Sequence, residues 1–570
     1  MRTLTLALLV AAPLACEPRI AIRRPMPAPA WALAERALLK ANADAAAEFS
    51  ARYVDSRGWL RCIERWGGND GPDDAMENFH NWTLAYALGA PESLLRLYEA
   101  AWEGHLQQYT HARIPSIEMA REGMYHQEFV TSFDWEHNGE GLAAFEFYAL
   151  ARPGDQRYLQ RALRFAGLYL DLPNYDPKLK IIRSLHNGSR GPKLTPATPE
   201  DWGGLPVAGH PERLTRYRDA ANIRGDHPLN LCAATLGFNA YALTGERRYR
   251  DWLLDYAGAW RERAAANGGN IPSNIGLDGR IGGEWEGKWY GGVFGWNFDP
   301  STASRNYYMR GPQIAFGEAF LLTADARFVD ALRAQIHNLY AAKKVENGRT
   351  LLPNKYGPQG WYGYTPNQHF DVQRDIWLWS MQEQDRQRIA SDPWVAYLSG
   401  GNANYPFEAL QRDLEGVRSR VAGLRADPST PDTRASDHPQ RFSPVATEAL
   451  VNLTMGANDP GKSGNIVHAR VRYFDPERRR AGLSESVAAL VEKIAPDAVT
   501  LVLVNTGPVN ARSVVVQAGA YGEHEFESVN GAPARARWFT ATLAPGCGER
   551  LQIRMRRYAH QPDARFPWER

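Results

Sequence analysis

Apolar positions over residues 31–425 recur at helical spacing, in repeated units. Tyr249, Leu253, Leu254, Tyr256 and Trp260 fall close to a 3.6-residue stripe, as do Phe328, Leu332, Ile336 and Tyr340. Each stripe follows the same kind of turn. Tyr241-Ala242-Leu243-Thr244-Gly245-Glu246-Arg247-Arg248-Tyr249 is one copy and Phe320-Leu321-Leu322-Thr323-Ala324-Asp325-Ala326-Arg327-Phe328 is another. Tyr148-Ala149-Leu150, then Gly154-Asp155 and Tyr158, is a third with two extra residues. Tyr86-Ala87-Leu88-Gly89 and Tyr397-Leu398-Ser399-Gly400 start two weaker copies. Each copy ends one helix, turns at Gly, Pro or a small residue, and starts an amphipathic helix. Starts at 86, 148, 241, 320 and 397 leave intervals of 62, 93, 79 and 77 residues. A tetratricopeptide array would repeat every ~34. These longer intervals suit two long helices plus one large, variable loop per unit. With an opening helix from Trp31 to about Tyr53, five or six such hairpins close naturally into a ring.

The period then changes. Residues 426–445 are rich in Pro, Asp, Ser and Thr and read as a linker. Beyond it, Val499 to Asn505, Ser513 to Gln517, Glu525 to Val529 and Leu551 to Met555 alternate as strands between Asn-Thr-Gly, Asn-Gly and Pro-Gly turns. Six to eight short strands predict a β-sandwich over 446–570, read first as a structural domain packed on the ring.

The turns of the first region resemble those of the six-hairpin glycosidase-like superfamily, the (α/α)6 toroids, over roughly residues 31 to 425. The fold class expected is therefore multidomain and mainly α: an (α/α)6 helical-hairpin toroid followed by a C-terminal antiparallel β-sandwich. The repeated turns are architectural, so the resemblance implies a carbohydrate-active fold and leaves the reaction open.

The start of the chain reads as an export signal over residues 1–16. Arg2 supplies the positive end, Leu4 to Leu14 a short apolar run and Ala15 a small residue before a cut. The run is too short for a permanent transmembrane anchor. Pro13-Leu14-Ala15-Cys16 resembles a lipoprotein signal, departing from it at Pro13. Cys16 is thus a candidate lipid anchor, with the Pro-rich stretch 17–30 as tether. The location expected is periplasmic, outer-membrane lipoprotein or extracellular.

Charge excludes some classes. With 66 basic and 64 acidic residues the net charge is +2, which gives no reason to expect nucleic acid as partner. Beyond Cys16, only Cys62, Cys232 and Cys547 remain, none in a CxxC pair. The adjacent pairs Asp226-His227 and Glu136-His137 lack HExxH spacing, and no phosphate-cradling glycine loop is present. Neither metal nor cofactor is expected. The 18 Trp, 25 Tyr and 20 Phe matter more, because many lie in polar, Gly-rich segments. There they serve either as fillers of a large core or as platforms for the apolar faces of sugar rings.

If the repeat turns form one rim of the ring, the long segments between them form the other, where a polysaccharide or oligosaccharide would bind. Those segments are Trp66 to Trp82, Tyr125 to Gly141, His186 to Asn230, Gly283 to Arg310 and Asn354 to Asp371. Hydrolysis of a glycosidic bond needs two carboxyl groups. A carboxyl beside an indole is partly desolvated, which suits a general acid. Glu136 or Glu140 opposite Glu286 is the pairing expected, with Asp134 and Asp299 in reserve. Trp135, Trp285, Trp289, Trp296, Trp361, Tyr364, Asp226, His227 and Arg310 are candidate substrate contacts. A polysaccharide lyase is the alternative: Tyr307 or His186 as base, with Asn187 and Arg190 holding a uronate carboxylate. A sugar epimerase and a non-catalytic glycan-binding protein are further alternatives, disfavoured by the export signal and by the dense acids respectively.

Overall fold

The computed structural model describes residues 17–62, 71–111, 140–170, 174–183, 225–283, 285–290, 307–462 and 464–570, with short pieces between 113 and 125. Residues 1–16, and with them the signal sequence and Cys16, lie outside the described residues.

Among the described residues the ring is built from twelve helical segments that alternate between an outer and an inner layer. The outer helices are α1 (Ala30–Tyr53), α3 (Glu92–His111), α5 (Gln156–Leu170), α7 (Arg247–Ala266), α9 (Ala326–Ala341) and α11 (Tyr405–Ala426). The inner ones are α2 (Trp82–Leu88), α4 (Ala143–Ala151), α6 (Ala234–Thr244), α8 (Tyr307–Thr323), α10 (Phe370–Ser380) and α12 (Glu448–Leu450), which continues as a π-turn over Val451–Met455. Their sequences explain the sorting. An inner helix is surrounded by neighbours, so polar residues are few along α2, α4 and α6, and all residues of α2 and α4 are buried. An outer helix has one wet face, so α7 buries Tyr249, Trp252, Leu253, Tyr256 and Trp260 and exposes Arg247, Arg248, Asp251, Asp255 and Glu262. Successive inner helices from α2 to α10 pack on one another, and α1 packs along α11. On the inner side, Asn81 at the start of α2 donates to Val445 O, just before α12, at 2.8 Å. The last hairpin therefore meets the first, and the ring closes.

The turns at 86, 148, 241 and 320 lie where expected, between an inner helix and the next outer one. Gly245 ends α6 with φ of +74°, a left-handed cap that glycine adopts without a Cβ clash. The fifth turn differs from expectation. The inner helix ends at Ser380, not near Tyr397, which belongs to a short extra helix, Pro393–Leu398. Ser380 Oγ accepts from Gln382 N at 3.1 Å, as Thr244 accepts from Glu246 N and Thr323 from Asp325 N. The shared hydroxyl two residues ahead marks the true copy.

Two expected boundaries move. Residues 426–445 are a packed return strap rather than a linker. Asp427 accepts from Tyr53 Oη at 2.7 Å and from Ser429, and Arg434 donates to Arg61 O at 2.7 Å. These bonds, led by those from Ser429, hold the Asp427 carboxyl below the usual carboxylate range against the opposing effect of burial. The strap ends in α12, so the toroid runs to about residue 455 and takes its sixth inner helix from the stretch expected to be sandwich. The other correction concerns residues 17–30. Arg19–Ile22 pairs in parallel with Trp538–Leu543 and is an edge strand of the sandwich, not a tether. Prolines flank this strand, at an edge where a missing N–H costs no ladder bond.

The sandwich has two five-stranded sheets around a second core that includes Val471, Val491, Leu501, Val514, Phe526 and Phe539. It closes one end of the toroid by a chemical fit. Inner helices end in unmet carbonyls that carry the negative end of the helix dipole. The C-terminal domain supplies donors to five of them. Arg480 reaches Tyr86 O and Ala90 O beside α2, and Arg472 reaches Leu150 O of α4. Ala564 N meets Ala242 O of α6, and Gln561 meets Leu322 O of α8. Arg470 and Arg557 both reach Leu378 O of α10. Arg480→Ala is expected to lower folding stability by ~1–3 kcal/mol, the cost of leaving Ala90 O unmet, since Tyr86 O keeps its bond from Gly89 N at 3.0 Å. Urea unfolding reads this, and an unchanged midpoint would show that the cap contributes nothing.

Candidate functional site

The sandwich covers the C-terminal ends of the inner helices and leaves their N-terminal ends as the open rim. The open rim holds a cavity of about 440 Å³ at the starts of α8 and α10 and beside the segment that follows α12. Arg310 and Gln313 come from the first turns of α8, Asn367, His369 and Asp371 from the entry to α10, and Asn458, Asp459, Lys462 and Asn465 from the segment after α12.

Each side chain is held by short local bonds. His369 has φ of +54°, uncommon for a residue with a Cβ, and its amide donates to Asn367 Oδ1 at 2.9 Å. Burial lowers the His369 imidazole against the opposing pull of Asp371, so the ring is biased towards neutrality. Asn458 Nδ2 donates to Asp371 O at 3.1 Å, which ties the α12 segment to the start of α10. Arg310 is pushed down to about 10 by burial, while Glu77 and Asp371 pull it back up. Glu77, next to this group, is buried and pairs with Lys462 at 2.9 Å.

The carboxyls divide into two kinds. Asp459 is pushed up to about 6 by burial, although Gly461 N at 2.9 Å and Thr447 Oγ1 at 2.8 Å both donate to it. Asp375, one turn into α10, is pushed up to about 7 by burial and accepts from Gln313 at 2.7 Å. Both hold a proton in part near neutral pH. Asp371 lines the same cavity at the exposed N-terminal end of α10, where a negative charge is favoured by the helix dipole.

Two further carboxyls lie within the inner layer. Glu146 of α4 and Glu318 of α8 are buried and raised well above the ordinary range, Glu146 first by burial and then by its neighbour Glu318. Thr235 Oγ1 donates to Glu318 at 2.5 Å. The Glu146 carboxyl rests against Gly464, where a Cβ would stand 1.6 Å from Oε2, so only glycine admits it. The signal for both was a glutamate inside an apolar stretch, Phe145-Glu146-Phe147 and Phe316-Gly317-Glu318-Ala319-Phe320.

Of the residues expected from sequence, Asp134, Trp135, Glu136, His186, Asn187, Arg190, Trp296 and Asp299 lie outside the described residues. Glu140 opens the turn Glu140–Leu142 into α4, and Tyr307 is the first residue of α8; both backbones enter the open rim, and their side chains lie outside the description. Arg310 lines the cavity. Glu286 does not: its side chain is 86% exposed and pairs with Lys288 at 3.1 Å, so solvent and not indole surrounds it. Trp285 is half-buried. Trp289 and Trp361 each pack on Tyr356, with ring centroids 4.6 and 4.9 Å apart, and serve as packing at the rim.

Asp226 and His227 depart from expectation. Asp226 is fully buried and accepts from Asn230 Nδ2, Tyr256 Oη, Trp260 Nε1, and the amides of Ile182 and His227, at 2.8–3.1 Å. Gly225 before it lies 1.9 Å, measured from where a Cβ would be, from Ile275 O. This aspartate locks α7 to two loop segments and leaves no oxygen facing a substrate. His227 is buried beside it.

Among the described residues no group of three or more His, Cys, Asp or Glu is placed to hold a metal ion, and no helix is long and apolar enough to cross a membrane.

One family matches residues 19–351 and 390–451, and its description is Domain of unknown function (DUF8034). The chain belongs to this family. The DUF8034 match starts at the N-terminal strand and ends within the sixth inner helix, so it takes in both elements whose boundaries moved. No curated protein matches the chain. Solved structures similar to it include a D-mannose isomerase, 12% identical, covering 73% of this chain and 98% of that chain at a TM-score of 0.37. A family 76 glycoside hydrolase (mannosidase) from Bacteroides thetaiotaomicron is 11% identical, covering 72% and 98% at 0.34. A family 127 β-arabinofuranosidase is 10% identical, covering 95% and 80% at 0.28. Likeness of this size fixes neither substrate nor reaction.

Proposed function

We propose that this protein is an exported carbohydrate-active enzyme that hydrolyses glycosidic bonds at the open rim of the toroid. Asp459 protonates the leaving oxygen, and Asp371 is the second carboxylate, which activates water or attacks directly. The observation that carries this reading is one cavity lined both by a carboxyl pushed up to about 6 and by a second acid at a helix N-terminus. Arg310 and Asn458 at the wall supply donors for sugar hydroxyls. Arg2 and the apolar run from Leu4 support export.

The test is a panel of neutral and acidic polysaccharides and oligosaccharides, read as new reducing ends. Cleavage without an unsaturated product supports hydrolysis. A conjugated double bond in the product would assign elimination instead, and a panel left intact would remove the reading. Glu136 belongs to the pairing expected from sequence and lies outside the described residues, so Glu136→Gln belongs in the same assay. Glu286→Gln is expected to keep near-wild-type activity, because its solvated side chain does not line the cavity. A hundredfold loss in that variant would restore the pairing expected from sequence.

A further inference from the structure

The hairpin between α9 and α10 carries a face that the proposed chemistry does not use. Strands Lys344–Glu346, Arg349–Gly357 and Gly360–Thr365 form a three-stranded sheet. Its register sorts the side chains. Trp361 pairs with Tyr356 on the face turned inwards, against Trp289 and Tyr290. Tyr362 pairs with Lys355, Tyr364 with Pro353 and Lys344 with Leu351, so these side chains share the opposite face. Tyr362 is 39% exposed there, Lys344 lies over the Tyr364 ring at 4.0 Å, and Lys355 lies near the Tyr362 ring at 5.9 Å. Arg349 and Glu346 share this face, so it carries three basic side chains against one acidic. The whole chain has a net charge of only +2, which makes the concentration local.

We propose that this face binds an anionic polysaccharide, a polyuronate chain, and feeds it to the rim cavity. The inference rests on the reading of the cavity as a glycan-cleaving site and names its substrate class. Tyr362 and Tyr364 stand two residues apart on one strand, about 7 Å, the scale of one monosaccharide unit. Their rings take the C–H faces of successive sugars. Lys344, over one face of the Tyr364 ring, and Lys355, near the Tyr362 ring, meet the carboxylates that a neutral glycan lacks. The strand continues directly into Asn367 and His369, so a chain lying along it enters the cavity. A nucleic acid would also meet lysine and tyrosine, but the near-balanced charge elsewhere offers it no continuing track.

Affinity electrophoresis of the full chain through polygalacturonate, dextran and oligo-dT tests this. Polygalacturonate is expected to retard the protein and dextran is not. The double variant Lys344→Gln/Lys355→Gln is expected to bind about tenfold more weakly through lost charge complementarity. Tyr362→Ala/Tyr364→Ala, with every charge retained, is expected to lose about as much through lost stacking. All four residues sit on the solvent face, and thermal melting checks that the variants fold. No retardation of the wild type, equal retardation by dextran, tighter binding of oligo-dT, or wild-type binding by the tyrosine variant would each overturn the proposal. Binding with no cleavage of any glycan would overturn the reading of the cavity and leave the platform standing. Cleavage with no retardation would do the reverse.

Discussion

Asp459→Asn is expected to lower kcat by at least about a hundredfold, the scale of a lost general acid, with KM moved little. The substitution is close to isosteric. Asn still offers an acceptor to the Gly461 amide, and the Thr447 hydroxyl can rotate to accept from the new amide, so the loop should hold. What Asn cannot do is give up a proton. The same residue sets an expectation for pH. Its carboxyl is pushed up to about 6, so the acid form is lost above that pH, and kcat/KM should fall about tenfold per further pH unit. Asp371→Asn should cost a similar factor, because water activation or direct attack needs its charge. Steady-state rates on the best glycan of the panel, with circular dichroism to confirm folding, decide the matter. Full activity in both variants would remove the assignment.

The second expectation concerns stability and lies far from the cavity. Glu35, on the face of α1 that meets the sandwich, is 1% exposed and accepts only the long bonds from Ala489 N, at 3.3 and 3.4 Å. Burial pushes its carboxyl up to about 8, against the opposing effects of Arg36 and of that amide. An acid whose pKa is raised on folding stabilises the fold in its neutral form. That contribution is complete below the ordinary value of 4.5 and is lost as pH rises towards about 8. The full difference is of order 5 kcal/mol, from ~1.4 kcal/mol per pH unit. Glu35→Gln, which stays neutral, should therefore be more stable than the wild type above pH 8 and closely matched to it below pH 5. Urea unfolding at several pH values measures this, and parallel curves for the two proteins would refute it.

How much of this was legible before the fold was known depends on which kind of signal carries each part. The toroid was readable because its outer helices are striped and the turns that precede them recur, and both signals are local. The separation into a turn rim and a loop rim followed, since short turns cannot reach the far end of a helix. The fifth turn was placed too late because Tyr397-Leu398-Ser399-Gly400 copies the motif in a short accessory helix, while the true turn at Ser380 lacks the glycine. The strap over 426–445 looked like a linker because Pro, Asp and Ser also serve buried turns when partners such as Tyr53 and Arg61 come from elsewhere.

The site was harder for the same reason. Carboxylates beside tryptophans drew attention to Glu286, yet in the fold its side chain points to solvent and a lysine. Asp226-His227 had the look of a binding pair and is a buried tie between segments. Asp459 sits in an ordinary Asn-Asp-Pro-Gly turn, with nothing nearby in sequence to mark it. Its carboxyl is pushed up by burial first and then by the nearby charges of Glu448 and Asp413, against the bonds from Gly461 and Thr447.

Taken alone, the sequence determined the layered helical ring and the sandwich behind it, because hydrophobic period and loop length are properties of neighbouring residues. Tertiary structure alone decided that the sandwich caps the inner-helix carbonyls, that the chain's first strand joins that sandwich, and that Asp459 and Asp371 share one cavity. Those facts depend on burial and on partners tens to hundreds of residues away, and burial and distant charges set which carboxyls keep a proton.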